Sequence, residues 1–85
     1  MAHDTGSALD KQVAGSHYKK YAIQPVEYAM LNNLNYCQAN AIKYTTRYKD
    51  KNGLEDLLKA AHCIQQLAEF EYGPEAAKRI SISFD

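Results

Sequence analysis

The stretch NGLEDLLKAAHCIQQLAEFEY, residues 52–72, carries the strongest helical pattern of this sequence. Asn52 followed by Glu55 has the spacing of a capping box at a helix start, and Gly73-Pro74 is typical of a helix end. We therefore predict a long third helix that ends at about Tyr72. Its apolar residues recur three and four positions apart, which predicts one buried face made of Leu54, Leu57, Ala61, Ile64 and Ala68.

Two shorter helices are predicted before this one. Pro25 fits the first position of a helix of about ten residues, which extends to about Leu34. Asn35 is a favourable N-cap for the second helix. Residues 49–53 contain no apolar side chain and form a turn into the third helix. Along the second helix, one stripe is formed by Cys37, Ala41, Tyr44 and Tyr48.

These elements predict an all-α fold, a three-helix domain whose second and third helices form a central antiparallel hairpin. Residues 1–14 are polar and are predicted to be a mobile N-terminal tail. Residues 15–73 form the helical domain. Residues 74–85 form a short C-terminal extension, with one or two helical turns followed by a strand-like alternation at 80–85 whose role the sequence leaves open.

Composition excludes several classes of function. Ten basic and ten acidic residues give a formal net charge of zero, which disfavours sequence-specific nucleic-acid binding. The sequence has neither a bilayer-spanning apolar run nor a signal peptide, and its two cysteines read as reduced thiols, so we expect a cytoplasmic protein without a membrane partner. A chain of 85 residues has a thin core, and with seven tyrosines this predicts a homo-oligomer.

A polar stripe on the second helix is the main candidate for a binding site. Asn40, Lys43 and Arg47 are spaced at i, i+3 and i+7, beside Tyr36 and Tyr44. Arg47 is suited to a two-point hold on phosphate oxygens, and the tyrosines are suited to stacking on a base. The same stripe is also compatible with a solvated helix face.

Other features allow two readings each. The turn 49–53, with Lys49 and Lys51, leads into a helix N-terminus that favours an anion, or is a plain loop. His17-Tyr18 would cover a pocket or form a packing latch. On the third helix, Asp56 and Lys59 form a surface pair or face the cations of the second helix. No metal site is predicted, because none of the available ligands has zinc spacing: His17, Cys37, His62 and Cys63.

Four strings, taken in order, resemble a small protein family of tailed phages, typified by the early nucleotide kinase of T-odd coliphages. The resemblance covers residues 16–71. It implies a phosphorylated nucleotide as ligand, phosphoryl transfer to a deoxynucleoside monophosphate with Mg²⁺, and the host cytoplasm during infection as the location. The strings are GSHY at 15–18, IQPVE at 23–27, NAIKY at 40–44 followed by Arg47, and GLEDL at 53–57 followed by Lys59-Ala60.

We therefore expect residues 15–73 to bind a phosphorylated nucleotide. Lys43 and Arg47 would hold phosphate, and Asn40 would bond to base or sugar. Tyr44 or Tyr18 would stack on the base, and His17 and Lys51 complete the predicted site. A kinase would also need a carboxylate beside Mg²⁺, for which Asp56 and Glu55 are the candidates. The alternatives are a non-enzymatic oligomer that sequesters a host nucleotide signal as an anti-defence device, and a module that docks on a host protein. Base, sugar, phosphate number and turnover stay open.

Overall fold

The computed structural model describes Ala8 and residues 19–80. Within these residues the chain is helical and contains no strand, which confirms the all-α class. The predicted tail, His17-Tyr18 and the strand-like end of the chain lie outside the described residues, apart from Ala8 and Ile80. The elements are α1 (Pro25–Leu31), α2 (Tyr36–Arg47), a 3-10 turn (Tyr48–Asp50), α3 (Leu54–Tyr72) and α4 (Pro74–Lys78).

The start of α2 confirms the predicted cap. The Asn35 side chain accepts a hydrogen bond from the Gln38 backbone N–H (2.8 Å), and the Gln38 side chain accepts one from the Asn35 N–H (3.0 Å). Pro25 occupies the first turn of α1, also as predicted. However, α1 ends at Leu31 and is shorter than predicted, since Asn33 turns the chain through a left-handed conformation (φ 54°).

The predicted cap of α3 is wrong, although its end is correct. Gly53, with φ 59° and ψ −127°, is the N-cap and has no side chain to offer. Asn52 and Glu55 do not form the expected capping box; the Asn52 side chain donates instead to Asp56 (3.2 Å). At the other end, α3 reaches Tyr72 and stops at Gly73 (φ 97°).

The core lies where α2 packs on α3, and α2 also carries α1 while α3 carries α4. On α3 the buried positions are Asp56, Ala60 and Cys63, spaced at i, i+4 and i+7. The predicted face is therefore wrong for Leu54 and Ile64, which are largely exposed. Small side chains let helices approach closely, so the tight contact selects this stripe over the bulkier leucines. The buried apolar residues of the described part are all small: Pro25, Ala29, Cys37, Ala60, Cys63 and Ala77.

None of the helices in the described part has both the length and the apolar character needed to cross a membrane.

Candidate functional site

A pocket of about 270 Å³ lies between α1 and α2. Its polar groups come from α2, where Asn40 and Lys43 line it. The Asn40 Nδ2 donates to the carbonyl oxygen of Tyr36, one turn earlier in α2 (3.1 Å), and this hydrogen bond orients the Asn40 side chain. The apolar walls come mostly from α1 and are formed by Pro25, Val26, Ala29, Met30 and, from α2, Ala39.

Three cations surround the Tyr44 ring, and together they form what we call the Tyr44 cluster. Lys43 Nζ lies 4.7 Å from the ring centroid and Arg47 Cζ lies 4.9 Å from it. Lys59 Nζ reaches the same ring from α3, at 5.7 Å. These distances are within the range of cation–π attraction. Lys43 belongs to both the pocket and the cluster, so the two are adjacent.

Arg47 is tied to a buried carboxylate on α3. Its Nε lies 3.2 Å from Asp56 Oδ2 and its Nη2 lies 3.3 Å from Asp56 Oδ1. Asn52 donates to the same group through its backbone N–H (3.4 Å) and through Nδ2 (3.2 Å). The Asp56 side chain is 0% exposed, whereas that of Arg47 is 15% exposed. Asp56 therefore faces a cation of the second helix and is not part of a surface pair, the other reading of the sequence.

The pKa of Asp56 reflects two opposing causes. Burial by itself would raise the pKa, since a charged carboxylate loses its water. Hydrogen bonds from Arg47 and Asn52 outweigh this effect and hold the Asp56 pKa below its ordinary value of 3.8. The carboxylate is thus charged at neutral pH and engaged on both oxygens.

This arrangement does not fit a magnesium site. Mg²⁺ takes oxygen ligands in a near-octahedral shell, and both Asp56 oxygens already accept hydrogen bonds from Arg47 and Asn52. Glu55 is exposed at the start of α3. In the described residues, no three His, Cys, Asp or Glu side chains are grouped so as to hold a metal ion.

The basic residues of the turn are Lys49 and Lys51. Lys49 Nζ lies 6.0 Å from the Tyr48 ring, and Lys51 is exposed. On the neighbouring surface, Asp50 forms an ion pair with Lys20. The Tyr21 hydroxyl donates to the Thr46 carbonyl oxygen (3.1 Å) and so ties the segment before α1 to α2.

The structure thus brings five predicted site residues together. They are Asp56 of α3 and, from α2, Asn40, Lys43, Tyr44 and Arg47. Lys59 joins them, although it was not among the predicted site residues. Its spacing three positions after Asp56 was the available signal, because residues three apart share a helix face. Cys37 and Cys63 are free and buried, and burial raises the pKa of Cys63.

The family of the chain follows from comparison with known proteins. A family described as a protein of unknown function, DUF3310, matches residues 13–65. The match includes α1, α2 and the first part of α3, with the pocket and the Tyr44 cluster. It spans more than half of the 85 residues, so the chain belongs to DUF3310. Among the curated proteins and the solved structures, none matches the chain.

Proposed function

We propose that this protein binds a phosphorylated nucleotide, with the base in the α1–α2 pocket and the phosphate at the Tyr44 cluster. One observation carries the proposal: Lys43 lines the pocket and also stands 4.7 Å from the Tyr44 ring centroid. A single molecule with an apolar ring at one end and an anion at the other would therefore meet both surfaces. Ligand sites commonly combine apolar walls with a few polar groups in this way.

The chemistry of the pocket suits a flat heterocycle. Its walls are apolar, and the Asn40 amide supplies a carbonyl oxygen as acceptor and the second hydrogen of Nδ2 as donor, since the first donates to the Tyr36 carbonyl oxygen. Three cations stand over the Tyr44 ring, which leaves this ring poorly suited to stacking on a base. The proposal therefore places the base in the pocket and gives Tyr44 the task of holding the cations.

The charges of the Tyr44 cluster suit a phosphate group. Asp56 offsets the charge of Arg47. Lys43 and Lys59 then supply two positive charges, close to the charge of roughly −1.5 to −2 that a phosphate monoester carries at neutral pH. Arg47 is the positioning residue of the cluster, since its pairing with Asp56 fixes its guanidinium beside Tyr44.

The proposal extends to the assembly and setting that the sequence predicted. It includes an antiparallel arrangement of α2 and α3, supported by the Arg47–Asp56 contact across the short turn between them. It includes a homo-oligomer in the cytoplasm of a phage-infected host. Between the kinase and the sequestering form, the engagement of both Asp56 oxygens favours sequestration without turnover.

The interaction module is a second candidate, favoured by one observation. Phe70 and Tyr72, near the end of α3, are 85% and 82% exposed. Large exposed aromatic side chains are enriched where proteins bind each other. This reading requires no nucleotide at the Tyr44 cluster, so a binding experiment separates the two.

The test is a thermal-shift screen of the full chain against nucleoside mono-, di-, tri- and cyclic phosphates, each followed by product analysis. We expect a monophosphate to raise the melting temperature and to be recovered unchanged. Recovery of a phosphorylated product would replace sequestration by the kinase form. No shift with any nucleotide at millimolar concentration would contradict the proposal and leave the interaction module.

A further inference from the structure

Two grooves flank α1 where it packs on α2, and Pro25 borders both of them. The first groove is the α1–α2 pocket described above. Of α1 itself, only Pro25 and Ala29 are buried, so the helix rests on α2 along a narrow seam. The second groove has a volume of about 390 Å³ and is lined by Tyr21, Ile23, Pro25, Tyr28, Ile42 and Thr46.

This seam contributes little to holding α1 in place. The helix has seven residues, and isolated helices shorter than about 12–15 residues are marginal in water. Its two buried side chains are small, so the apolar area that they remove from water, and the free energy that this contributes, are small as well. The position of α1 therefore depends on how its two ends are attached.

The C-terminal end of α1 is attached through a short turn. Residues 32–35 are the whole connection to α2. Within it, Asn33 adopts a left-handed conformation (φ 54°), and the Leu34 N–H donates to the Ala29 carbonyl oxygen (3.0 Å). This end of α1 can serve as a pivot, but it stays close to α2.

The N-terminal end of α1 is attached by the Tyr21 side chain. Its hydroxyl donates to the Thr46 carbonyl oxygen (3.1 Å) and lies 3.5 Å from Asp50 Oδ2. Thr46 is in the last turn of α2, where the carbonyl oxygens of an α-helix are available to donors outside it. Beside this contact, Lys20 adds an exposed ion pair with Asp50. Tyr21 thus fastens the chain that leads into α1 to the far end of α2.

We propose that Tyr21 is a positioning residue of the nucleotide site: its hydrogen bond to Thr46 holds α1 in place as a wall of the pocket, and a bound nucleotide holds α1 in turn. A ligand that lies between α1 and α2 contacts both helices and opposes their separation. The attachment by Tyr21 stands on the contacts of α1 alone, whereas the coupling to the ligand rests on the proposed function. The residues that α1 contributes to the pocket are Pro25, Val26, Ala29 and Met30.

The ligand-free arm of the experiment measures hydrogen exchange of single backbone amides by NMR. Tyr21→Phe removes only the hydroxyl. Tyr28→Phe is the matched control, because it removes a hydroxyl from the same groove and leaves the Tyr21–Thr46 contact in place. The amides of α4 are the internal reference, since α4 packs on α3 and contributes no residue to the pocket.

The reporter is the N–H of residue 28, which donates to the Gln24 carbonyl oxygen (3.0 Å). A detached helix of seven residues melts, so its amides exchange when α1 leaves α2. We expect Tyr21→Phe to speed exchange of this amide about fivefold, the effect of one lost hydrogen bond, and Tyr28→Phe to change it less than about twofold. Exchange in α4 should be unchanged in both variants.

The second arm repeats the measurement with adenosine and thymidine 5′-monophosphates, whose affinities are first measured by calorimetry. At a free nucleotide concentration of about 100 times Kd, we expect exchange of the residue 28 amide to slow at least roughly tenfold, with α4 unchanged. The nucleotide should slow this exchange in Tyr21→Phe as well, to below the rate of the ligand-free wild type. Such a rescue by ligand would not occur if Tyr21 only stabilised the fold.

The outcomes separate this inference from the proposed function. Unchanged exchange at residue 28 in Tyr21→Phe, or equal acceleration in α1 and α4, overturns the attachment by Tyr21 whether or not a nucleotide binds. A monophosphate that binds without slowing exchange in α1 overturns the coupling, although nucleotide binding itself stands. If no nucleotide binds, the coupling and the proposed function are both overturned, and faster exchange in Tyr21→Phe still supports the attachment.

Discussion

Arg47 and Asp56 form a two-point ion pair that joins the last residue of α2 to the first turn of α3, with N–O distances of 3.2 and 3.3 Å. Asp56 has no exposed surface, and Asn52 completes its hydrogen bonds from the turn between the helices. The pair thus locks the turn and holds Arg47 beside Tyr44. Arg47, which sequence analysis assigned to ligand binding, therefore also stabilises the fold.

The first prediction concerns the stability of this pair. Asp56→Ala leaves the Arg47 charge and Asn52 without their common partner, so we expect the free energy of unfolding to fall by about 3–5 kcal/mol. Urea denaturation followed by circular dichroism measures it. The control is Glu75→Ala, which removes an exposed ion pair with Lys78 and should cost no more than about 1 kcal/mol. Equal losses in the two variants would contradict the structural role of Asp56.

The second prediction is a dependence of stability on pH. The pKa of Asp56 lies below its ordinary value in the folded chain, so its contribution is complete above the unfolded value of 3.8 and is lost as the pH falls through the folded value. We expect the urea midpoint of the wild type to fall below about pH 4 more steeply than that of Asp56→Asn. Glu75→Gln, at an exposed position, should follow the wild-type curve. Parallel curves for the wild type and Asp56→Asn would refute the assignment.

The third prediction tests the phosphate end of the proposed site. Lys43→Ala and Lys59→Ala each remove a cation near Tyr44, so we expect each to weaken binding of the best monophosphate about ten- to a hundredfold. Lys51→Ala, in the exposed turn, should change affinity less than twofold. Isothermal titration calorimetry on the folded variants measures all three.

A reversed pattern in that titration would be informative. Strong loss in Lys51→Ala with no loss in Lys59→Ala would move the phosphate to the N-terminus of α3, the other reading of the sequence. Arg47→Ala is a poor probe of affinity, because removing it leaves Asp56 buried without its main partner and destabilises the fold.

The fourth prediction concerns Gly53 in the turn between α2 and α3. Its φ of 59° with ψ −127° is a conformation that residues with a Cβ rarely adopt, although a Cβ there would meet nothing within 4 Å. Gly53→Ala should therefore cost about 1–3 kcal/mol through backbone strain alone. Lys51→Ala, in the same turn at φ −131°, should stay within about 0.5 kcal/mol. A neutral Gly53→Ala in thermal unfolding would rule out the strained turn.

Sequence analysis predicted several local features correctly, because they depend on neighbours in the chain, although the Asn52–Glu55 capping box and the end of α1 were wrong. The Asn35 cap, Pro25 at the start of α1 and the end of α3 at Gly73-Pro74 each follow from a few adjacent residues. The buried face of α3 was predicted less well. Hydrophobicity alone favoured Leu54 and Ile64, whereas close packing of α2 on α3 selects the small residues Ala60 and Cys63.

By itself, the sequence determined the helical class and predicted the first three of the four helices, since periodicity and capping are local properties. Only the tertiary structure decided that Asp56 is buried against Arg47, that Lys59 reaches Tyr44 from another helix, and that Lys43 borders a pocket beneath α1. These relations join residues that are distant along the chain. They depend on which helix faces come together, and this is fixed by the packing of whole elements rather than by any short stretch of residues.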